Sequence, residues 1–295
     1  MPSRDGKHIF AIGTKPRGEL VHYDSKTQQF DPFLGGISAI DPTFSQDGQW
    51  VTYVSSSNHT LWRSRADGTD RLQLTYPPME VRYPVISQDG TQVAFQTNRD
   101  GGYLISVNGG QPRSFADNNS EGGSLSPDGK LIVFAVPTGG KPRRPLDLRS
   151  YQLRILNLTT GDLSTVRSSQ GMIGPFWADP DTIVAAAGHE EITKLVSFDF
   201  KTEKWTDLPS GPIVNWMPSP DGKYVYYEIG VTEPKAMRVR LADHQVETLT
   251  SLKDLHRFAD PVEGGTQINV APDGSPVFTR DIGTQEIYSL TVKWP

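Results

Sequence analysis

A four-residue turn motif returns at regular intervals along almost the whole chain. Ser-x-Asp-Gly begins at residues 3, 45, 87, 126 and 219, and Ala271-Pro272-Asp273-Gly274 is a close variant. A degenerate copy without the glycine, Trp177-Ala178-Asp179-Pro180-Asp181, stands where one more copy is due. With it included, the copies begin near residues 3, 45, 87, 126, 178, 219 and 271. A period of this length indicates a repeat protein in which each copy is one supersecondary unit.

The motif has the chemistry of a tight turn. An Asp side chain hydrogen-bonds to its own following backbone, and Gly accepts the positive φ that such turns need. Pro127, Pro220 and Pro272 precede the aspartate in three copies and preset φ there. We therefore interpret the repeated aspartates as turn formers rather than as catalytic or metal-binding carboxylates. Asp179 and Asp181 of the degenerate copy suggest a cation site at first sight, and we interpret them in the same way.

A β-branched residue follows each turn. It is the fourth residue after the repeated aspartate, or after position 180 in the degenerate copy, and its type suits a buried strand. These residues are Ile9, Val51, Val93, Ile132, Val184, Val225 and Val277. Two residues further on the side chain is again mostly apolar, which is the period of a strand. Two more strand-like segments follow in each copy and another leads into the next turn, so each copy predicts four short strands.

Four short strands every 40-odd residues are typical of a β-propeller blade. One blade alone exposes both faces of a small sheet, and stacking blades around an axis buries them. We therefore predict an all-β fold, a single β-propeller domain over residues 1–295 with four-stranded antiparallel blades. The seven copies favour seven blades, with six and eight as the alternatives. The first and last copies each contain their own second and third strands, so we expect that they do not share one blade.

Longer strings within the repeat carry a family resemblance. Residues Ser126-Pro127-Asp128-Gly129-Lys130-Leu131-Ile132-Val133-Phe134 resemble the WD40-like repeat of TolB-like bacterial propellers. Residues 61–75 and 280–288 are similar to the C-terminal propellers of acidobacterial-type proteins, in which the propeller follows a winged-helix DNA-binding domain or a Ser/Thr kinase domain. The resemblance implies a binding or scaffold module, the sensor part of a larger regulatory protein. It implies no particular activity, because one fold hosts many functions.

Composition and motifs exclude several functional classes. The net charge of −5 does not suit direct nucleic-acid binding through clustered cations. The absence of cysteine excludes disulfides, zinc–thiolate sites and thiol nucleophiles. Neither His-Glu-x-x-His nor Gly-x-Ser-x-Gly occurs, and no apolar run approaches the roughly 20 residues of a membrane helix. We expect no cofactor, no metal and no membrane span.

The N-terminal residues give an expectation about the cellular compartment. They lack the apolar segment of a signal peptide. The chain as given would therefore stay in the cytoplasm. A membrane-anchored upstream region in a longer protein would place it in the periplasm.

Two further segments are weaker candidates for a site. His189-Glu190-Glu191 has adjacent ligand types, but neighbours on a strand point to opposite faces, so we interpret it as a solvated loop. Residues 139–149 are the longest insertion between strands and the most basic run. We interpret them as a loop, with docking of an acidic partner surface as the alternative.

The strongest candidate site is the mouth of the central channel. In a propeller the innermost strands begin there, so their leading residues converge from every blade. The residues about five to seven positions before the repeated aspartates include aromatic, amide and charged types, and Tyr, Trp and Arg are enriched in binding hot spots. The candidate binding residues are Asp41, Arg82, Tyr83, Glu121, Asn215, Trp216 and Gln267, with Ile40, Ile173, Val214 and Thr266 beside them. The alternative is that these side chains pack under loops or against adjacent blades.

Two functions are consistent with such a mouth. The first is a non-catalytic module that binds a protein or peptide partner, with a small ligand as a further possibility. The second is a propeller-type metal-dependent hydrolase or lyase, which needs a channel cation held by several oxygen ligands. Asp41, Glu121 and Asn215 come from three blades and are its candidate ligands. The family resemblance does not point to a metal, so we favour the binding module over the enzyme.

The repeat makes a direct prediction about stability. Each β-branched residue after a turn contributes on the order of 1.5–3 kcal/mol when it is buried. Val93→Asp removes that contribution and buries a charge, so we expect the whole domain to unfold cooperatively. A thermal melt followed by circular dichroism measures this, and a melt unchanged from the parent would contradict the blade assignment.

Overall fold

The repeated strands form a closed ring of small sheets in the computed structural model. The structure describes residues 3–4, 7–97, 101–117, 119–139, 148–188, 191–259 and 267–291. Within these ranges, six four-stranded antiparallel sheets and one separate two-stranded sheet are present. The innermost strands of neighbouring sheets contact each other all the way around the ring. The all-β propeller class with four-stranded antiparallel blades is confirmed.

The strands follow the chain in a simple order. The first three are β1 (His8–Lys15), β2 (Gly18–Asp24) and β3 (Gln29–Pro32). Blade 1 contains β4 (Ala39–Phe44), β5 (Trp50–Ser55), β6 (Leu61–Arg65) and β7 (Leu72–Gln73). Blade 2 contains β8 (Val81–Ile86), β9 (Gln92–Thr97), β10 (Gly101–Ser106) and β11 (Arg113–Ala116). Blade 3 contains β12 (Glu121–Leu125), β13 (Leu131–Pro137), β14 (Tyr151–Asn157) and β15 (Leu163–Thr165).

The second half continues the same arrangement. Blade 4 contains β16 (Met172–Asp179), β17 (Thr182–Gly188), β18 (Ile192–Asp199) and β19 (Lys204–Ser210). Blade 5 contains β20 (Ile213–Pro218), β21 (Tyr224–Ile229), β22 (Lys235–Arg240) and β23 (Val246–Ser251). The last strands are β24 (Asn269–Val270), β25 (Pro276–Asp281) and β26 (Thr284–Thr291). In each of these blades the chain runs from the innermost strand to the outermost.

Blade 6 is assembled from both ends of the chain. Its strand order is β24-β25-β2-β3, so the last copy supplies the inner half and the first copy supplies the outer half. Leu20 of β2 pairs with Thr279 of β25, and Glu19 forms an ion pair with Arg280 at 2.5 Å. The expectation that the first and last copies do not share a blade is therefore wrong. The described residues form six blades, one of the alternatives to the favoured seven.

The strands displaced by this closure form a ribbon of their own. β1 pairs antiparallel with β26, from His8 opposite Thr291 to Lys15 opposite Thr284. The ribbon lies outside the blades, and its side chains are largely exposed: Ile12 is 70% exposed and Ile287 is 77% exposed. Both strands carry the repeat pattern, which is why counting copies gives seven.

The hydrophobic core lies between the blades. The buried apolar residues fall into six clusters, and each cluster joins side chains from two adjacent blades. Among the β-branched residues after the turns, six are fully buried: Val51, Val93, Ile132, Val184, Val225 and Val277. Ile9 is 39% exposed because its strand belongs to the ribbon. Both faces of each inner pair of strands are thus shielded by a neighbouring sheet.

The repeated aspartates form turns, as their chemistry indicates. Asp47 accepts a hydrogen bond from the Ser45 hydroxyl at 2.6 Å and from the backbone N–H of Gln49 at 3.0 Å. The pairs Ser87–Asp89, Ser126–Asp128 and Ser219–Asp221 repeat the first of these bonds at 2.6 to 2.7 Å. These hydrogen bonds lower the pKa of Asp47 and Asp128. In the degenerate copy, Asp179 accepts from the backbone N–H of Asp181 at 2.8 Å.

The last turn is one residue shorter than the Ser-x-Asp-Gly turns, and this shift reverses which blade its strand residues face. Ala271 N–H bonds to the carbonyl of Ser275, whereas Ser219 N–H reaches the carbonyl of Tyr224. A one-residue shift moves each side chain of a strand to the other face. Val277 therefore packs towards blade 1, whereas Val225 packs towards the preceding blade 4. Sequence counting alone does not reveal this change of face.

Several of the sequence predictions fall on residues that the structure does not describe. Residues 140–147 of the basic segment, His189 and Glu190, Thr266, and Asp5 and Gly6 of the first turn lie outside the described ranges.

In the described part of the chain, no helix is long and apolar enough to cross a membrane.

The shared blade predicts where substitutions destabilise the ring. Leu20 is fully buried in the strand that closes blade 6, so Leu20→Ala should cost about 2–5 kcal/mol of unfolding free energy. Ile12→Ala, in the exposed ribbon, is the matched control and should change it by about 0.5 kcal/mol or less. Urea unfolding measures both, and equal losses would contradict the closure.

Candidate functional site at the channel mouth

A channel runs through the middle of the ring. Its narrow section is a cavity of about 80 Å³ to which all six innermost strands contribute. Its lining includes Thr43, Val85, Ser124, Phe176, Met217 and Asn269. A wider cavity of about 210 Å³ lies where the innermost strands begin, and Val85 and Phe176 line both sections. We call this wider cavity the mouth pocket.

The mouth pocket brings together five of the seven candidate residues. Tyr83, Glu121, Asn215, Trp216 and Gln267 line it, with Ile173 and Val214 beside them. They come from blades 2 to 5 and from the segment that leads into β24. Asp41 and Arg82 are not part of the lining. The role of these residues in binding stays a prediction.

A backbone irregularity recurs at the same place in the innermost strands. The residue six positions before the repeated aspartate, or before position 180 in the degenerate copy, is left-handed in four blades: Asp41 has a φ of 50°, Tyr83 48°, Gly122 68° and Gly174 54°. The strand register shifts across each of these positions, which is the signature of a β-bulge. Left-handed φ is costly for a residue as bulky as tyrosine. Such strain concentrates at functional sites, and Tyr83 lines the mouth pocket.

Trp216 is fixed by the neighbouring blade. Its indole N–H donates to the carbonyl of Gly174 at 3.1 Å. A Cβ at Gly174 would stand only 2.5 Å from the indole ring, so the ring lies directly on the backbone there and requires glycine. The side chain remains half-buried rather than buried. Trp216 therefore joins blades 4 and 5 while it keeps a surface in the mouth pocket.

Asn215 has a structural role that the sequence does not reveal. Its side-chain oxygen accepts from the backbone N–H of Ile268 at 2.8 Å, and its amide N–H donates to Glu228 at 3.1 Å. Glu228 is buried and also pairs with Arg257. Arg257 in turn donates to the carbonyl of Gln267 at 3.4 Å. This network attaches blade 5 to the segment that leads into blade 6. It fits the alternative stated above, in which side chains at these positions pack against adjacent blades.

Glu121 is the carboxylate of the mouth pocket. Burial raises its pKa, and the nearby positive charge of Arg82 partly offsets that rise. The guanidinium carbon of Arg82 lies 5.5 Å from the centre of the Tyr83 ring. Tyr151 is fully buried, and burial together with the charge of Glu121 raises its pKa to about 12. Glu121 thus lies in a poorly solvated environment at the start of β12.

Sequence reasoning missed part of the lining. Phe176, Ile192 and the glycines Gly122, Gly123 and Gly174 also line the mouth pocket. The Gly-Gly pair directly after Glu121, at the position of the bulge, was the available signal for the first two glycines. Within the described residues, no group of three or more His, Asp or Glu side chains could hold a metal ion together.

The fold is similar to that of several solved propellers of different kinds. A putative TolB from Agrobacterium tumefaciens matches with a TM-score of 0.69 and 17% identity, over 91% of this chain and 99% of that one. The structure titled nidogen/laminin complex matches at 0.59 and 12%, over 82% and 93%. An oligogalacturonate lyase from Vibrio parahaemolyticus matches at 0.57 and 11%, over 92% and 97%. No protein-family model matches the chain, and no curated protein matches it.

The raised pKa of Glu121 predicts how stability depends on pH. A carboxyl whose pKa is higher in the folded than in the unfolded state opposes folding once it ionises, so this cost grows as pH rises above about 4.5. Glu121→Gln removes the cost. Relative to the parent, Glu121→Gln should therefore be more stable, with a larger free energy of unfolding, at pH 7 than at pH 4.

The control for this experiment is an exposed glutamate. Glu233 lies in the loop between β21 and β22 and is exposed. Glu233→Gln should show the same difference from the parent at both pH values in urea unfolding. If Glu121→Gln shows no change with pH either, the carboxyl is not held in a poorly solvated environment.

Proposed function

We propose that this chain is a non-catalytic binding module of the TolB-like propeller type, and that it receives a side chain of a protein or peptide partner in the mouth pocket. In a longer regulatory protein such a module would be the sensor part. The observation that carries the proposal is the composition of the pocket. Aromatic rings from three different blades, Tyr83, Phe176 and Trp216, line one small cavity at the end of the channel.

The size of the mouth pocket favours a single side chain. The cavity has a volume of about 210 Å³. Pockets for drug-sized ligands are larger, about 300–1,000 Å³. A cavity of this size matches one long side chain of a partner better than a whole small molecule. The rest of the partner would lie across the face of the ring.

The residue types of the pocket support binding of a partner. Aromatic residues in fully desolvated pockets dominate the energetics of protein interfaces. Trp216 is held in position by blade 4 and Tyr83 by a bulged strand, so little conformational entropy is lost when a ligand contacts them. The propeller in the nidogen/laminin structure is, by its title, part of a protein complex. These features favour recognition over chemistry.

The enzymatic alternative is favoured by one observation, the similarity to oligogalacturonate lyase. Its predicted ligands do not fit a metal site well. The side-chain oxygen of Asn215 is engaged by Ile268, and Asp41 does not line the mouth pocket. Native mass spectrometry in the presence of calcium or manganese tests this alternative, and one stoichiometric ion per chain would support it.

Blocking the mouth pocket tests the binding proposal. Val214 lines the pocket and is 39% exposed, so Val214→Trp should fill the cavity without disturbing the core. Peptides of twelve residues would be selected from a random display library on the parent protein. Some of the selected peptides should bind Val214→Trp at least about tenfold more weakly than the parent in calorimetry, because their anchor side chain loses its cavity. We call these the mouth-dependent peptides.

A matched valine serves as the control. Val246, on the outer strand β23, is 48% exposed, and Val246→Trp should leave the affinity of the same peptides unchanged. Both variants should melt at the temperature of the parent. If no selected peptide discriminates Val214→Trp from Val246→Trp, the mouth pocket is not the binding site.

A further inference from the structure

Charge is distributed unevenly around the mouth pocket. Thirteen described residues line it, and among them Glu121 is the only one with a charged side chain. The others are aliphatic or aromatic residues, glycines and the amides Asn215 and Gln267. A half-buried carboxylate among apolar walls is poorly solvated, and a ligand of opposite charge would relieve that cost.

The aromatic rings fit the same kind of ligand. A cation is attracted to the face of a Trp or Tyr ring, and the attraction is strongest where water is excluded. Tyr83 already has one cation near its ring, the guanidinium of Arg82 at 5.5 Å. Trp216 is fixed by its hydrogen bond to Gly174 and has a surface in the same cavity as Glu121. The pocket therefore combines a counter-charge with ring surfaces, the two elements of a site for an organic cation.

Uncompensated polar atoms near Glu121 give further support for a polar end to this pocket. The side-chain oxygen of Gln96 is buried and has no hydrogen-bond partner in the described structure, although its amide N–H donates to the carbonyl of Gly122 at 2.9 Å. The hydroxyl of Tyr151 is also buried without a hydrogen-bond partner in the described structure, and the charge of Glu121 contributes to its raised pKa. Buried polar atoms are almost always satisfied, by protein, water or ligand. The Gln96 oxygen thus leaves one buried acceptor without a donor on the Glu121 side of the channel.

We propose that the mouth pocket recognises a cationic side chain, a lysine or arginine of the partner, with Glu121 as its counter-charge and the rings of Tyr83 and Trp216 as its walls. This inference rests on the proposed function, because it names the chemistry that the same pocket selects. Arg82 competes with the incoming cation for the charge of Glu121. Arg82 lies outside the lining, and its charge weakens the attraction of Glu121 for the ligand.

The selected peptides provide the test. Peptides that bind the parent protein and fail to bind Val214→Trp should share a lysine or arginine. Synthetic copies with acetylated N-termini and that residue replaced by methionine should bind at least about tenfold more weakly, because a charge-assisted hydrogen bond is lost. On Glu121→Gln the same replacement should have little effect, since the partner charge is already gone.

Arg82 gives a result of opposite sign. Arg82→Gln removes the cation that shares the charge of Glu121, so the lysine-containing peptides should bind about two- to fivefold more tightly. A merely structural role for Arg82 would make binding weaker or leave it unchanged. Melting temperatures of Glu121→Gln and Arg82→Gln show that both variants are folded.

The outcomes separate the two proposals. If the mouth-dependent peptides lack a shared cation, or tolerate its replacement by methionine, the pocket is an apolar one and the cation proposal is wrong while the binding module stands. Enrichment of aspartate or glutamate would also overturn it. If no peptide depends on the mouth at all, the proposed function itself fails.

Discussion

The pairing of β2 with β25 is the interaction on which the rest of the structure depends. A blade of four short strands cannot bury its own faces, so every blade needs a neighbour on both sides. Only a closed ring provides that for all six, and here the two ends of the chain share the sheet that closes it. The antiparallel pairing from Gly18 opposite Asp281 to His22 opposite Val277 and the ion pair between Glu19 and Arg280 hold this seam. The channel and its mouth exist because the ring is closed.

Side chains that form hydrogen bonds with the backbone of a neighbouring blade set the geometry of the mouth. Ile86 donates its N–H to Thr43, Gln96 donates to Gly122, and Trp177 donates its N–H to Ser124. The indole of Trp216 and the amide of Asn215 join the next two pairs of blades. Three of these five bonds end on residues of the mouth pocket. The groups that hold the blades together thus also fix the walls of the pocket.

The local pattern was enough to predict the blades but not their closure. Val93 and Ile132 are fully buried as their β-branched type and spacing indicate. Ile9 follows the same pattern and is exposed, because its strand pairs with β26 instead of entering a blade. A strand pattern specifies that a strand forms and which side chains alternate, and it does not specify the partner. The partner is decided by competition between distant segments, so seven copies produced six blades.

The site was partly predictable because the ring converts a position in the repeat into a position in space. Counting back from the aspartates found Tyr83, Glu121 and Trp216, which the structure places around one cavity. It also selected Asn215, whose amide is used by the seam with blade 6, since the same position serves both purposes. A position in the repeat does not show how well its side chain is solvated. Glu121 differs from the turn aspartates in this respect: hydrogen bonds to its own turn lower the pKa of Asp128, whereas burial raises that of Glu121. The carboxylate without such local donors is the one left to attract a donor from outside.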